Sequence, residues 1–153
     1  MSYSIQAIIA GMSAADSEAF AALRVVPLPQ GLVMAPLTEQ VRVGLGLAFC
    51  PLTDEGERPQ LPATVIELLR RCSRPGRAVY VEAESWGGTG LQACLFAEAG
   101  EIVDSIYVND DAINAALAFL GVTVGDSHDE FDAVNLGAHR STEEWIGDGL
   151  TKR

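Results

Sequence analysis

The chain has 153 residues, the size of one domain, with 48% hydrophobic and 20% charged residues. An apolar share of that size argues against a disordered chain and supplies a real core. Formal net charge is −11, from 10 Lys and Arg against 21 Asp and Glu, which repels phosphate backbones and argues against nucleic acid as a partner.

The imbalance sits in one half. Residues 1–77 hold seven Arg and seven acids; residues 78–153 hold three Lys and Arg and fourteen acids. Cys50, Cys72 and Cys94 are odd in number and form no C-x-x-C pair. That argues against a disulfide framework or a zinc knot, and apolar neighbours point to buried, inert thiols. No Lys or Arg precedes the first apolar stretch, so a secretory signal is not expected. The uncharged run 25–38 is broken by Pro27, Pro29 and Pro36 and is too short to span a bilayer. The expected location is the cytoplasm, with no membrane and no cofactor.

In chain order, residues 3–10 read as a strand whose Ile5, Ile8 and Ile9 mark a buried path. Ser13 to Asp16 resembles an acidic capping box opening a short helix to Leu23. Residues 25–29 are extended, and their prolines assign them to a sheet edge or a loop. Gln30-Gly31 turns the chain into a strand over 32–37, and Thr38 stands where a helix over 39–45 would be capped. Residues 51–62 form a polar, proline-rich surface loop. Pro62 then opens a helix with Val65, Leu68, Leu69 and Cys72 on one face.

Residues 77–84 are a strand, with Val79, Val81 and Ala83 on one side and Tyr80, Glu82 and Glu84 on the other. A Gly-rich turn at 87–90, a return strand over 91–98, a tight turn at Ala99-Gly100 and a third strand over 101–108 make an antiparallel meander. Asn109 is placed to cap a helix with Ile113, Ala116, Leu117 and Leu120 inside and Gly121 as its stop. Residues 125–139 read as a structured loop, and Ser141 to Glu144 as a capping box before a last short helix with Trp145. The sum is a single domain over 1–153 of α+β class, a central antiparallel sheet with helices mainly on one face.

Three groupings bear on chemistry. Glu82 and Glu84 share a strand face leading to Trp86, a pattern for a solvated face, a partner surface or a carboxylate pair. The glycines at 87–90 lead into a strand with no Lys nearby, so a hairpin turn is favoured over a phosphate cradle. His128, Asp129, Glu130 and Asp132, then His139 and Arg140, are ligand types without the regular spacing of a metal motif.

The stretches Tyr80 to Gln92, Asp129 to Gly137 and His139 to Trp145, with Val26 to Gly31, resemble a group of small uncharacterised bacterial proteins. These share YVEAE-aromatic-GG and DEFD…LG.HR.TE.W segments, and the resemblance brings no established activity. Small acidic proteins of this type suggest, by analogy, immunity or accessory roles in toxin systems. The reading is non-enzymatic binding of a protein partner, of basic character, in the manner of an immunity-type inhibitor. The acidic face would comprise Glu82, Glu84, Asp129, Glu130 and Asp132, with Trp86 as anchor and His139 and Arg140 beside them. The alternative is a small hydrolase or metal-dependent enzyme using Glu82, Glu84, His128 and His139. A third reading is a homo-oligomer paired through the edge segment 25–37.

Overall fold

The computed structural model describes residues 2–12, 20, 23–53, 60–86 and 89–146. Within these residues seven strands form one antiparallel sheet: β1 (Ser2–Gly11), β2 (Val26–Leu28), β3 (Leu32–Pro36), β4 (Arg77–Trp86), β5 (Thr89–Glu98), β6 (Glu101–Ile102) and β7 (Tyr107–Val108). Their order is β2-β3-β1-β4-β5-β6, with β7 also pairing β5. Among the described residues four α-helices accompany them: α1 (Glu39–Leu45), α2 (Ala63–Cys72), α3 (Ala112–Phe119) and α4 (Glu130–Ala133). The α+β class with a central antiparallel sheet is as expected. The capping box at Ser13 to Asp16 lies outside the described residues.

Helices cover both faces of the sheet, where one face was expected to carry most of them. The reason lies in the central strands. Ile5 to Ala10 of β1 and Ala78 to Ala83 of β4 are buried without interruption, so neither side can face water. On one face Ile8, Val33, Tyr80 and Leu95 pack with Val65, Leu68, Leu69 and Cys72 of α2, and Val41 and Leu45 of α1 join them. On the other, Ile5, Ile9, Met34, Val79 and Val81 pack with Ile113, Ala116 and Leu117 of α3, and with Val134 and Leu136.

The local signals mostly deliver the elements they imply. α2 follows Pro62 and buries all four residues of its apolar stripe. β2 is an edge strand. The β5–β6 turn puts Ala99 at φ 54° and Gly100 at φ 90°. The third strand of the meander is broken between Ile102 and Tyr107. Within that break the Asp104 carboxylate accepts from the Ser105 N–H, a local bond that competes with the ladder. α3 starts at Ala112, later than the Asn109 cap implies, because Asn109 turns its side chain onto the Asp110 N–H. Gln92 from β5 instead accepts from the Ile113 N–H. The last short helix is a 3-10 turn over Glu143–Trp145. Thr142 does not cap it; its hydroxyl accepts from the buried Gln6 N–H. Glu143 accepts from the Glu39 N–H and so caps α1 across the fold.

Candidate functional site: an acidic cleft on the α3 side

At one end of the sheet, the start of β1, the end of β4 and the start of β5 meet the first turns of α3 and α4. The space between them is a cleft of about 380 Å³. Its apolar walls include Tyr3, Ala83, Ile113 and Phe131; its polar wall includes Ser85, Gln92, Asp110, Asn114 and Asp129. Among the described residues no Lys or Arg lines it. The Tyr3 and Phe131 rings meet edge to face, with centroids 5.7 Å apart, an arrangement that aromatic quadrupoles favour. The Tyr3 hydroxyl donates to the Leu136 carbonyl at 3.0 Å, and burial pushes its ionisation up, so it stays neutral at ordinary pH.

Asp129 is held from two sides. It caps α4 by accepting from the Asp132 N–H at 2.9 Å, and it accepts from the Asn114 amide at 3.3 Å. The Asn114 carbonyl in turn accepts from the Phe131 N–H at 2.8 Å. This exchange locks α4 onto α3 and fixes one carboxylate at the cleft. Asp110 stands exposed where α3 begins. Gly90, opposite Ser85, is required by close approach: a Cβ there would collide with the Glu84 carbonyl oxygen.

A second polar cluster lies on the opposite face and is sealed. Glu82 is fully buried. Its carboxylate accepts from the Tyr80 hydroxyl at 2.7 Å, and from the Thr53 N–H at 2.8 Å and hydroxyl at 3.0 Å. The Gln6 amide donates to Tyr80 at 3.0 Å and to the Ala48 carbonyl at 3.1 Å. Burial, first of all, pushes the Glu82 carboxyl up, against these bonds, which pull it down. Leu47, Cys50 and Leu52, from the segment after α1, are buried on this face. The three thiols are buried and free, and desolvation raises Cys72 and Cys94 to about 12.

This arrangement corrects the expected acidic face. Glu82 cannot touch a partner, because the segment carrying Thr53 closes over it. Glu84 is half-buried and shares the Glu82 side of β4, whereas Asp129 lies beyond Ala83 and Ser85 on the other. The sheet therefore separates the two sets of carboxylates. Glu130 is half-buried and Asp132 exposed, both on α4. The Trp86 side chain lies outside the described residues. His139 packs edge-on against Trp145, with centroids 4.6 Å apart. The Arg140 N–H donates to Glu144, and its carbonyl accepts from the Ser4 N–H.

The Glu82, Glu84, His128 and His139 set is not gathered either. Trp145, with His139 against it, packs on the α3 side, and His128 is exposed. Among the described residues no group of three or more His, Cys, Asp or Glu converges as a metal site. Sequence reasoning missed Tyr3, Ser85, Gln92, Asp110, Asn114 and Phe131 as cleft residues. No local spacing marks them: Tyr3 reaches Ser85 through the pairing of β1 with β4, and Phe131 reaches Asn114 through the contact of α4 with α3. No protein-family model, curated protein or solved structure matches the chain. No helix among the described residues is long and apolar enough to cross a membrane.

Proposed function

We propose that the protein binds a basic protein partner through the side built by α3 and α4, without catalysing a reaction, as an immunity-type inhibitor does. The observation that carries this is the charge of one segment. Asp104, Asp110, Asp111, Asp126, Asp129, Glu130 and Asp132 fall within residues 104–138, which contain no Lys or Arg. That segment supplies α3, α4 and one wall of the cleft. Arg70 and Arg71 belong to α2, on the other face of the sheet. Arg77 meets α3 at its far end, where it donates to the Phe119 carbonyl at 2.7 Å.

Carboxylates gathered on one side steer a basic partner into register and speed encounter more than they tighten the final complex. The immunity-type role rests on the resemblance in size and character described above. The test is capture by the immobilised full-length protein, followed by mass spectrometry. A specific partner should be retained by wild type and lost by the Asp110→Lys/Asp126→Lys/Asp132→Lys variant. Equal retention by both would remove this surface from the interaction.

A further inference from the structure

We infer that the cleft between Tyr3, Phe131, Asp110 and Asp129 is a receptor for one arginine side chain of the partner, an assignment that rests on the partner-binding reading and names what fills its centre. The cavity itself leads to this. A cleft of about 380 Å³ reaches the lower range of sites that enclose a discrete group. An anion would face Asp110 and Asp129 with no cation among the described residues lining the site to offset them. A wholly apolar group would strip water from two carboxylates and give nothing back.

A guanidinium on an alkyl stem suits both walls. Its methylenes lie against Ala83 and Ile113, and its planar, weakly hydrated head meets the aromatic pair and the two acids. Five fixed donors match carboxylates arriving from two different helix starts better than the compact point charge of a lysine does. The receptor is also built before a ligand arrives. Asp129 is pinned by Asn114 and by its bond to the Asp132 N–H, and Tyr3 by its bond to Leu136. A guest therefore spends little energy ordering these groups.

The experiment is an amide NMR titration of the full chain with N-acetyl-arginine methylamide. The neutral citrulline analogue and the lysine analogue are run in parallel. Saturable shifts at Ala83, Ile113, Asn114 and Phe131 are expected with the arginine probe. Binding should be at least about tenfold weaker with citrulline, and clearly weaker with lysine. Asp110→Asn should weaken the arginine probe by about threefold or more while leaving the spectrum otherwise that of the folded protein. The reverse result is an arginine response that spreads over the surface without saturating, is matched by citrulline or lysine, or is unchanged in Asp110→Asn. Any of these overturns the assignment. Because the probe needs no partner, that failure is distinct from failure of the partner reading, which capture and association rates decide.

Discussion

The Tyr80 hydroxyl donates to the Glu82 carboxylate at 2.7 Å, from two residues away on the same strand face, and both side chains are sealed from solvent. A carboxylate in such a place is held by its donors and opposed by its burial, and burial is the larger influence. The folded chain therefore binds this proton more tightly than the unfolded chain does. Above the ordinary carboxyl value of 4.5 the folded state carries more protons, so stability falls as pH rises from there. One such group contributes a slope of at most about 1.4 kcal/mol per pH unit. Glu82→Gln removes that slope. Urea unfolding at about pH 5 and about pH 8 should show the variant gaining on wild type at the higher pH. Parallel changes in the two proteins would contradict this.

Tyr80→Phe deletes the donor to Glu82 and the acceptor of the Gln6 amide. The expected loss is about 1–3 kcal/mol, because buried partners are left unpaired. It should be larger at high pH, where an ionised Glu82 loses a charge-assisted bond. In the double variant with Glu82→Gln the losses should not add, since both changes touch one network. Denaturation midpoints for the four proteins of the cycle measure this.

The two-faced core makes a separate prediction. Leu69 belongs to the α2 face and Leu117 to the α3 face, and both are fully buried. Each substitution to Ala should cost about 2–5 kcal/mol. With the sheet between them and no shared partner, the double variant should show the sum to within about 0.5 kcal/mol. Calorimetry of the single and double variants checks it.

Ala99 holds φ 54° in the turn between β5 and β6. A left-handed conformation opposes a Cβ by about 1–2 kcal/mol, and Gly lacks that opposition. Ala99→Gly should therefore raise stability by up to about 1 kcal/mol, the gain being reduced by the extra freedom of the unfolded chain. A lower melting temperature in the variant would show that the methyl group stabilises the turn.

Much of the fold is legible in local pattern. The stripe Val65, Leu68, Leu69 and Cys72, the alternation of β4 and the Ala99-Gly100 turn each state their own structure. The site is less legible because its parts are distant in sequence. Alternation places Tyr80 and Glu82 on one face, but the cover over that face comes from Thr53 and its neighbours. Helix caps are similarly remote: Gln92 serves α3 and Glu143 serves α1, neither at a local capping position. Asp129 starts α4 inside a stretch that reads as a loop, and its place in a cleft depends on Tyr3 at the other end of the chain.

The most direct test of partner binding through the α3–α4 side is the association rate with the captured partner, followed by stopped flow across a salt series. Steering by the carboxylates of residues 104–138 predicts a rate that falls steeply with ionic strength, with a shallower fall for the Asp110→Asn/Asp132→Asn variant. A rate indifferent to salt, and the same in wild type and variant, would contradict it.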